Sequence, residues 1–176
     1  SRSSGFQVFK GIESDILPDG GLDYDDEVLA GFDFVVASVH AQLQMGRDEM
    51  TRRIIRAVEH PRTAILGHPT GRLLLDREPY AVDLDAVLQA AAQCDVAVEI
   101  NAHPQRLDLD WRHMRHARDL GVRLAINPDA HQLDDLGYLD LGVGIARKGW
   151  LRPQDVLNTL DREVLAAWFA RRHKRV

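Results

Sequence analysis

Glu13, Asp15, His40, His68, Glu99, Asn101, Asp129 and His131 are the residues whose types and positions could do chemistry. Each stands at the end of a short apolar run, in "GIESD", "SVH", "GHP", "EIN" and "NPDAH". Imidazoles bind zinc, iron or manganese, and carboxylates add the negative charge that lets two or three cations sit close together. Such sites suit phosphoester hydrolysis, because one ion generates hydroxide while others steady the attacked phosphate and the leaving oxygen. Taken singly, each residue has a plainer role. A strand-end His is more often a hydrogen-bonded core residue, and an Asp before a helix is more often an N-cap. Five strand ends in succession carrying His, Asp or Glu point instead to one shared site. In "LAINPDAH", Asp129 and His131 are spaced i and i+2, which puts both on the same side of an extended chain. A capped turn is the alternative there.

These side chains need elements to hold them at one place. Apolar runs at 6–13, 32–40, 63–68, 95–102 and 122–127 read as strands. Amphipathic stretches at 47–60, 83–94 and 110–121 read as helices between them, with Asp83 suited to N-capping and Gly121 to a C-cap. Further helical pattern is present at 132–139, 153–160 and 161–173. Continuous apolar strands, each followed by a helix, predict a parallel sheet covered by helices. In a closed barrel of that kind the loops at the C-terminal strand ends build the active site. All five candidate strand ends are of that type.

Composition narrows the classes. The chain has 176 residues, 45% of them hydrophobic and 28% charged, which suffices for one domain with a sizeable core. A net charge of -5 argues against holding nucleic acid by bulk charge, so any phosphate contact must be local. One cysteine, Cys94, excludes an internal disulfide framework. There is no Gly-x-Ser-x-Gly elbow and no Gly-rich phosphate loop to supply rival chemistry. No run approaches the ~18 apolar residues of a membrane span, and "SRSSGFQVFKG" lacks a signal peptide's apolar centre, so the cytoplasm is the default expectation. The basic tail "RRHKRV" is read as a solvated helix end. His60, His113, His116 and His173 fall on helical patterns and are read as exposed.

The stretches "GIESDILPDGGLDYDDEVLAGFDFVVASVH", "ILGHPTGRLLLDREPY", "EINAHPQRLDL" and "NPDAHQLDDL…LGVGIARKGWL" together resemble the polymerase-and-histidinol-phosphatase (PHP) domain. More narrowly, they resemble the version at the C-terminus of bacterial and archaeal family X DNA polymerases, with "GHPTGRLLL" and "ARKGWL" specific to it. The resemblance covers nearly everything from Gly5 to Val176. It implies an α/β fold, a distorted seven-stranded (β/α) TIM-like barrel, of which this chain supplies about five βα units. It also implies a trinuclear site of Mn2+ or Zn2+, with Glu13, His40, His68, Asp129 and His131 as metal ligands and catalytic residues. Two carboxylates and three imidazoles suit manganese or zinc better than magnesium. Glu99 and Asn101 match a strand end that lines the site beside the substrate. Arg72, in "GHPTGR", could take a phosphate oxygen in bidentate fashion, or form a surface salt bridge.

The function so implied is a manganese-dependent 3′–5′ exonuclease that processes DNA 3′ ends, gapped or damaged, in repair, joined to a polymerase domain in the same full-length chain. The alternatives are an inactive PHP platform supporting a polymerase, and a histidinol-phosphatase-type enzyme for small molecules. The family's His-x-His and Asp-His strand ends have no counterpart here, so the first two strands are missing from residues 1–176. "SRSS" resembles the residues directly after the Asp-His of the second strand, which implies a segment dropped between Ser4 and Gly5. Two positions depart from the family pattern: Pro128 stands before Asp-Ala-His, where a small hydroxyl residue is usual, and His103 stands where histidine is not. Proline stiffens that turn and donates no hydrogen bond.

Overall fold

A computed structural model describes residues 7–173, with side chains as far as Arg171. The expectations about Ser1 to Gly5, the side chain of His173, and the tail beyond it lie outside the described residues. Along the chain run β1 (Gly11–Asp15), α1 (Asp26–Leu29), β2 (Phe34–Ser38), α2 (Arg47–Glu59), β3 (Thr63–Leu66) and α3 (Leu84–Gln93). They are followed by β4 (Ala97–Asn101), α4 (Trp111–Asp119), β5 (Leu124–Asn127), α5 (Leu139–Lys148) and α6 (Arg162–His173). The strands pair in parallel in the order β1-β2-β3-β4-β5. A doubly wound sheet would reverse its order at a switch point; this one advances in a single direction. Among the described residues β1 and β5 do not pair with each other; β5 makes one parallel bridge, from Leu124 to Val156 of the C-terminal segment. The fold is α/β, a run of five βα units, and a closed barrel is not formed by these strands.

Both faces of the sheet are covered, which is why its strands read as continuous apolar runs. On one face Ala37, Leu66, Val98, Ile100 and Ile126 pack with the helices around Met50, Ile54, Leu88 and Met114. On the other, Ala64, Ile65, Ala97 and Ala125 meet Leu157, Trp168 and Phe169 from the C-terminal segment. Phe169 stacks on Phe34, centroids 4.8 Å apart, and meets Phe9 edge-on at 5.2 Å. A cleft of about 480 Å³ remains on this face, reaching Pro128.

The expected elements are present with shifted bounds. The first strand begins at Gly11, and the described residues 7–10 expected in it are not strand; Lys10 is held by Asp33, its N–H donating to the Asp33 carboxylate and its carbonyl accepting from the Asp33 N–H. Asp83 caps α3 by accepting from the Ala86 N–H, and Gly121 closes α4 at φ +86°. The stretch 132–139 is a 3-10 turn (Leu133–Tyr138), and α5, not expected, comes directly after it. The region 153–160 holds two short 3-10 turns instead of one helix. Gly142 and Gly144 depress helix propensity in α5, by roughly 1 kcal/mol each. Gly142 is nevertheless required, since a Cβ there would collide with the side chains of Ile126 and Ala102. Its absence lets α5 lie against the ends of β4 and β5. His60 and His113 are half-buried instead of exposed, His60 with Nε2 3.2 Å from Asp26; His116 is exposed as expected.

Arg53 of α2 is buried at 3% exposure. Its guanidinium donates to the carbonyls of Ile16, of Leu17 at 2.9 Å and of Ala41 at 3.0 Å, and to Met45 Sδ at 3.3 Å. Those carbonyls belong to the loops that leave β1 and β2, one residue or two beyond Asp15 and one beyond His40. No helix among the described residues is long and apolar enough to cross a membrane.

Candidate metal centre

Strand alternation brings the first three expected ligands together. In register, Glu13 lies opposite Val36 and Asp15 opposite Ser38, and His40 is two residues further on. The next strand over, β3, ends at Leu66, and Gly67 then carries the chain so close to Ser38 that a Cβ would overlap its hydroxyl. This close approach delivers His68 to the same place. Glu13 Oε1 is 3.5 Å from His40 Nε2 and 3.3 Å from His68 Nε2, and the two Nε2 atoms are 3.2 Å apart. A tetrahedral ion with ligands at about 2.0–2.1 Å separates its ligand atoms by roughly 3.3–3.4 Å. The three edges of the triangle fit that spacing, and one carboxylate with two imidazoles is a donor set that zinc or manganese accepts.

The surroundings favour the same use. His40 Nδ1 meets Asp15 Oδ1 at 2.5 Å, a carboxylate on the far ring nitrogen that fixes the ring and turns Nε2 toward Glu13 and His68. His68 is 3% exposed and its Nδ1 is buried without a hydrogen-bond partner, so its polar contacts run through Nε2. The imidazoles of His40 and then His68 hold the Glu13 carboxyl well below the usual carboxylate range. Glu13, followed by Asp15, raises His40 to about 9 against the downward push of burial. A divalent cation bound to Nε2 would take the place of that proton.

The other expected ligands are placed differently. Asp129 and His131 lie outside the Glu13–His40–His68 cluster. The i, i+2 geometry assumed an extended chain, but β5 ends at Asn127 and Asp129 is left-handed at φ 53°. The turn after Pro128 keeps the two side chains near each other, His131 Nδ1 3.9 Å from Asp129 Oδ1, but sets them in this corner apart from the triangle. Asp129 Oδ2 accepts from Asn101 Nδ2 at 3.1 Å and lies 3.4 Å from Arg106 Nε. His131 is exposed, its ring 2.8 Å from the Asp129 carbonyl. A chain of hydrogen bonds still connects this corner to the triangle. Buried Glu99 accepts from the His68 N–H at 2.6 Å, from Asn127 Nδ2 at 2.7 Å and from Asn101 Nδ2 at 3.3 Å. Burial pushes the Glu99 carboxyl up, opposed by the Asn127 amide and the His68 N–H. Asn101 then reaches Asp129, and its Oδ1 accepts from the His103 N–H at 3.0 Å. His103 itself packs edge-on against Tyr138.

Arg72 holds the loop after β4. It donates through Nε to the Arg106 carbonyl at 2.9 Å, through Nη1 to Asp110 at 2.5 Å and through Nη2 to the Leu107 carbonyl. Fully buried Asp108 accepts from the N–H groups of Thr70 and Gly71 and binds the same two loops from the other side. Burial would raise Asp110, yet Arg112 and Arg72 hold it well below the usual carboxylate range. Arg72→Ala is expected to destabilise the fold by about 2–4 kcal/mol, since buried acceptors lose their donor. Urea unfolding checks this, and an unchanged midpoint would show that the loop holds without it. Asp108, Arg106 and the supporting role of Asp15 were not expected from spacing. The one sequence signal for Asp108 and Arg106 is the density of charge in "HPQRLDLD", a loop flanked by apolar strands, while Asp15 stands out only as a strand-end carboxylate.

Comparison with known proteins adds a second line. No family model matches the chain. It is 42% identical over 166 residues to the "DNA polymerase/3'-5' exonuclease PolX" of Bacillus subtilis, covering 94% of this chain and 29% of that protein. It is 28% identical over 168 residues to a probable phosphatase of Thermoanaerobacter, covering 90% of this chain and 66% of the phosphatase. A probable phosphatase of Caldicellulosiruptor saccharolyticus is 30% identical over 148 residues, 80% of this chain and 59% of that protein. The chain thus spans under a third of the polymerase and less than two thirds of these phosphatases. Nearly its whole length is similar to part of a polymerase with exonuclease in its name, and most of it to enzymes named as phosphatases.

Proposed function

We propose that this chain is the larger part of a PHP domain and works as a metal-dependent phosphoesterase, hydrolysing phosphodiesters at DNA 3′ ends within a family X DNA polymerase. The observation that carries this reading is the triangle of Glu13 Oε1, His40 Nε2 and His68 Nε2, with edges of 3.2–3.5 Å. Similarity to the polymerase and to the phosphatases supports the same class of reaction. A bound Mn2+ or Zn2+ would supply a nucleophilic hydroxide near neutral pH and neutralise charge on the phosphate. Glu13, His40 and His68 would hold it, and Asp15 would keep His40 in the ligating orientation. In the complete protein Asp129 and His131 join the ligand set for further cations, with Asn101 and Glu99 shaping the strand ends beside the substrate. Arg72 has two of its five N–H groups left over from three internal bonds, and directs one to a phosphate oxygen. Additional βα units would close the sheet between β5 and β1 into the barrel.

The test is digestion of end-labelled DNA by the full-length protein, with manganese and with chelator, alongside elemental analysis. Manganese-dependent shortening from the 3′ end with stoichiometric metal is the expected result. Protein that binds no metal would sink the reading. The phosphatase relatives, of which the chain covers the larger share, favour a second reading: hydrolysis of small phosphomonoesters. Faster turnover of p-nitrophenyl phosphate than of DNA would select it.

A further inference from the structure

The stretch "ARKGWL" plays no part in the metal centre, yet it builds an unusual surface on the outside of the helical layer. At the end of α5 the Trp150 N–H bonds the Arg147 carbonyl and the Leu151 N–H bonds the Ala146 carbonyl. This is a helix-ending turn whose left-handed position is normally given to glycine. Here that position, φ 61°, holds Trp150, which is 75% exposed. Gly149 stands just before it, because a Cβ there would press into Met114 of α4. The turn therefore lies flush on α4, and Arg118 Nη1 secures it by donating to the Trp150 carbonyl at 3.1 Å. Lys148 Nζ sits 4.7 Å above the ring of Trp111, itself 37% exposed.

Two indoles are thus displayed among Arg115, Arg118, Arg147 and Lys148. Asp119 answers two of these four cations, 3.9 Å from Arg115 and 2.7 Å from Arg118. Arg147 and Lys148 make no ion pair among the described residues. On a chain where acidic residues outnumber basic ones, 27 to 22, this is a local reversal of sign. Protein–protein interface centres also favour Trp and Arg but are depleted in lysine, so Lys148 held over the Trp111 ring is the feature that sets this surface apart. A single nucleic-acid strand alternates phosphates with flat bases, and the complementary surface alternates cations with aromatic rings.

We infer that the α4–α5 surface around Trp111, Lys148 and Trp150 is a secondary binding site for single-stranded DNA. The inference deepens the proposed function, since the strand is the polymer whose end the metal centre would hydrolyse. Its test does not depend on hydrolysis. Fluorescence anisotropy of a labelled oligothymidylate is measured with the full-length protein in chelator, across a salt series. Trp150→Ala should weaken binding about tenfold, and Trp150→Phe, which keeps a stacking ring, should restore most of it. Arg147→Glu with Lys148→Glu should weaken binding and lower the salt slope by about 1.4, two phosphate contacts at about 0.7 each. Hydrolysis of bis(p-nitrophenyl) phosphate should be unchanged in all three, which separates this surface from the metal centre. Variants that bind the oligonucleotide like wild type would overturn the inference. Self-association lost in Trp150→Ala while oligonucleotide binding persists would assign the surface to a protein partner and overturn it equally. If wild type binds DNA through this surface but hydrolyses no phosphoester, the proposed function fails and the surface stands.

Discussion

Glu13→Gln is expected to strip the protein of its metal and to lower metal-dependent phosphodiester hydrolysis at least about 1000-fold. Glutamine keeps the shape of the side chain and removes the only negative charge of the triangle. The two imidazoles, neutral when ligating, cannot neutralise a divalent ion alone. Loss of a supporting carboxylate behind a ligating His typically costs about 10–100-fold in affinity or activity, so loss of the ligand itself should exceed that range. Asp15→Asn provides the graded control: it leaves all three ligands in place and should fall within the lower range. The pair is checked by elemental analysis and by titration with manganese. Equal effects of the two substitutions would mean that the cluster is an ion-pair network without a metal. Wild-type metal content in Glu13→Gln would remove the residue from the ligand set.

The second large effect concerns a residue that touches no ligand. Arg53→Met should destabilise the protein by about 3–5 kcal/mol in urea unfolding. Three loop carbonyls lose their donor, and each buried acceptor left unpaired costs about 1–3 kcal/mol, partly relieved by local relaxation. Burial lowers the pKa of this guanidinium, and its hydrogen bonds run to backbone oxygens and a thioether instead of a carboxylate. Arg53→Lys offers one ammonium where a fork is needed, so it should recover only part of the loss. Because the held carbonyls neighbour Asp15 and His40, both variants should also bind manganese more weakly than wild type under folding conditions. A stability change below about 1 kcal/mol would show that water or side-chain shifts satisfy these carbonyls.

Several of these features were legible in the chain itself. The five strands and the three helices between β2 and β5 emerge from apolar periodicity. Convergence of Glu13, His40 and His68 is a consequence of parallel strands whose C-terminal ends share one side. Spacing fails where the backbone leaves the extended region. Asp129 and His131 stay within 3.9 Å of each other, as their spacing implies, but a left-handed Asp129 after Pro128 sets the pair outside the Glu13–His40–His68 cluster. Composition fails where packing overrides propensity: Gly142 argues against a helix locally, while contact with Ile126 and Ala102 demands a glycine in one. Arg53 stands in "TRRIIRAV" beside Arg52 and Arg56, and nothing in the string marks it as the arginine that is buried. Its role depends on where two distant loops cross the helix, a tertiary fact.

The placement of the triangle on three successive strands has a consequence for how the chain folds. Its corners, residues 13, 40 and 68, are separated by two complete helical crossovers, so no hairpin or single βα unit can assemble it. Loop-closure entropy must be overcome twice before any ligand meets another. Capture of an ion by this cluster would therefore be a late event in the history of the N-terminal half, completed only when β3 has docked on β2. An ion bound there would span the ladder like a rivet, and β3 could not peel away without releasing it. Amide exchange in β1–β3 would then slow with the cation, while the distant edge at β5 would keep its own pace.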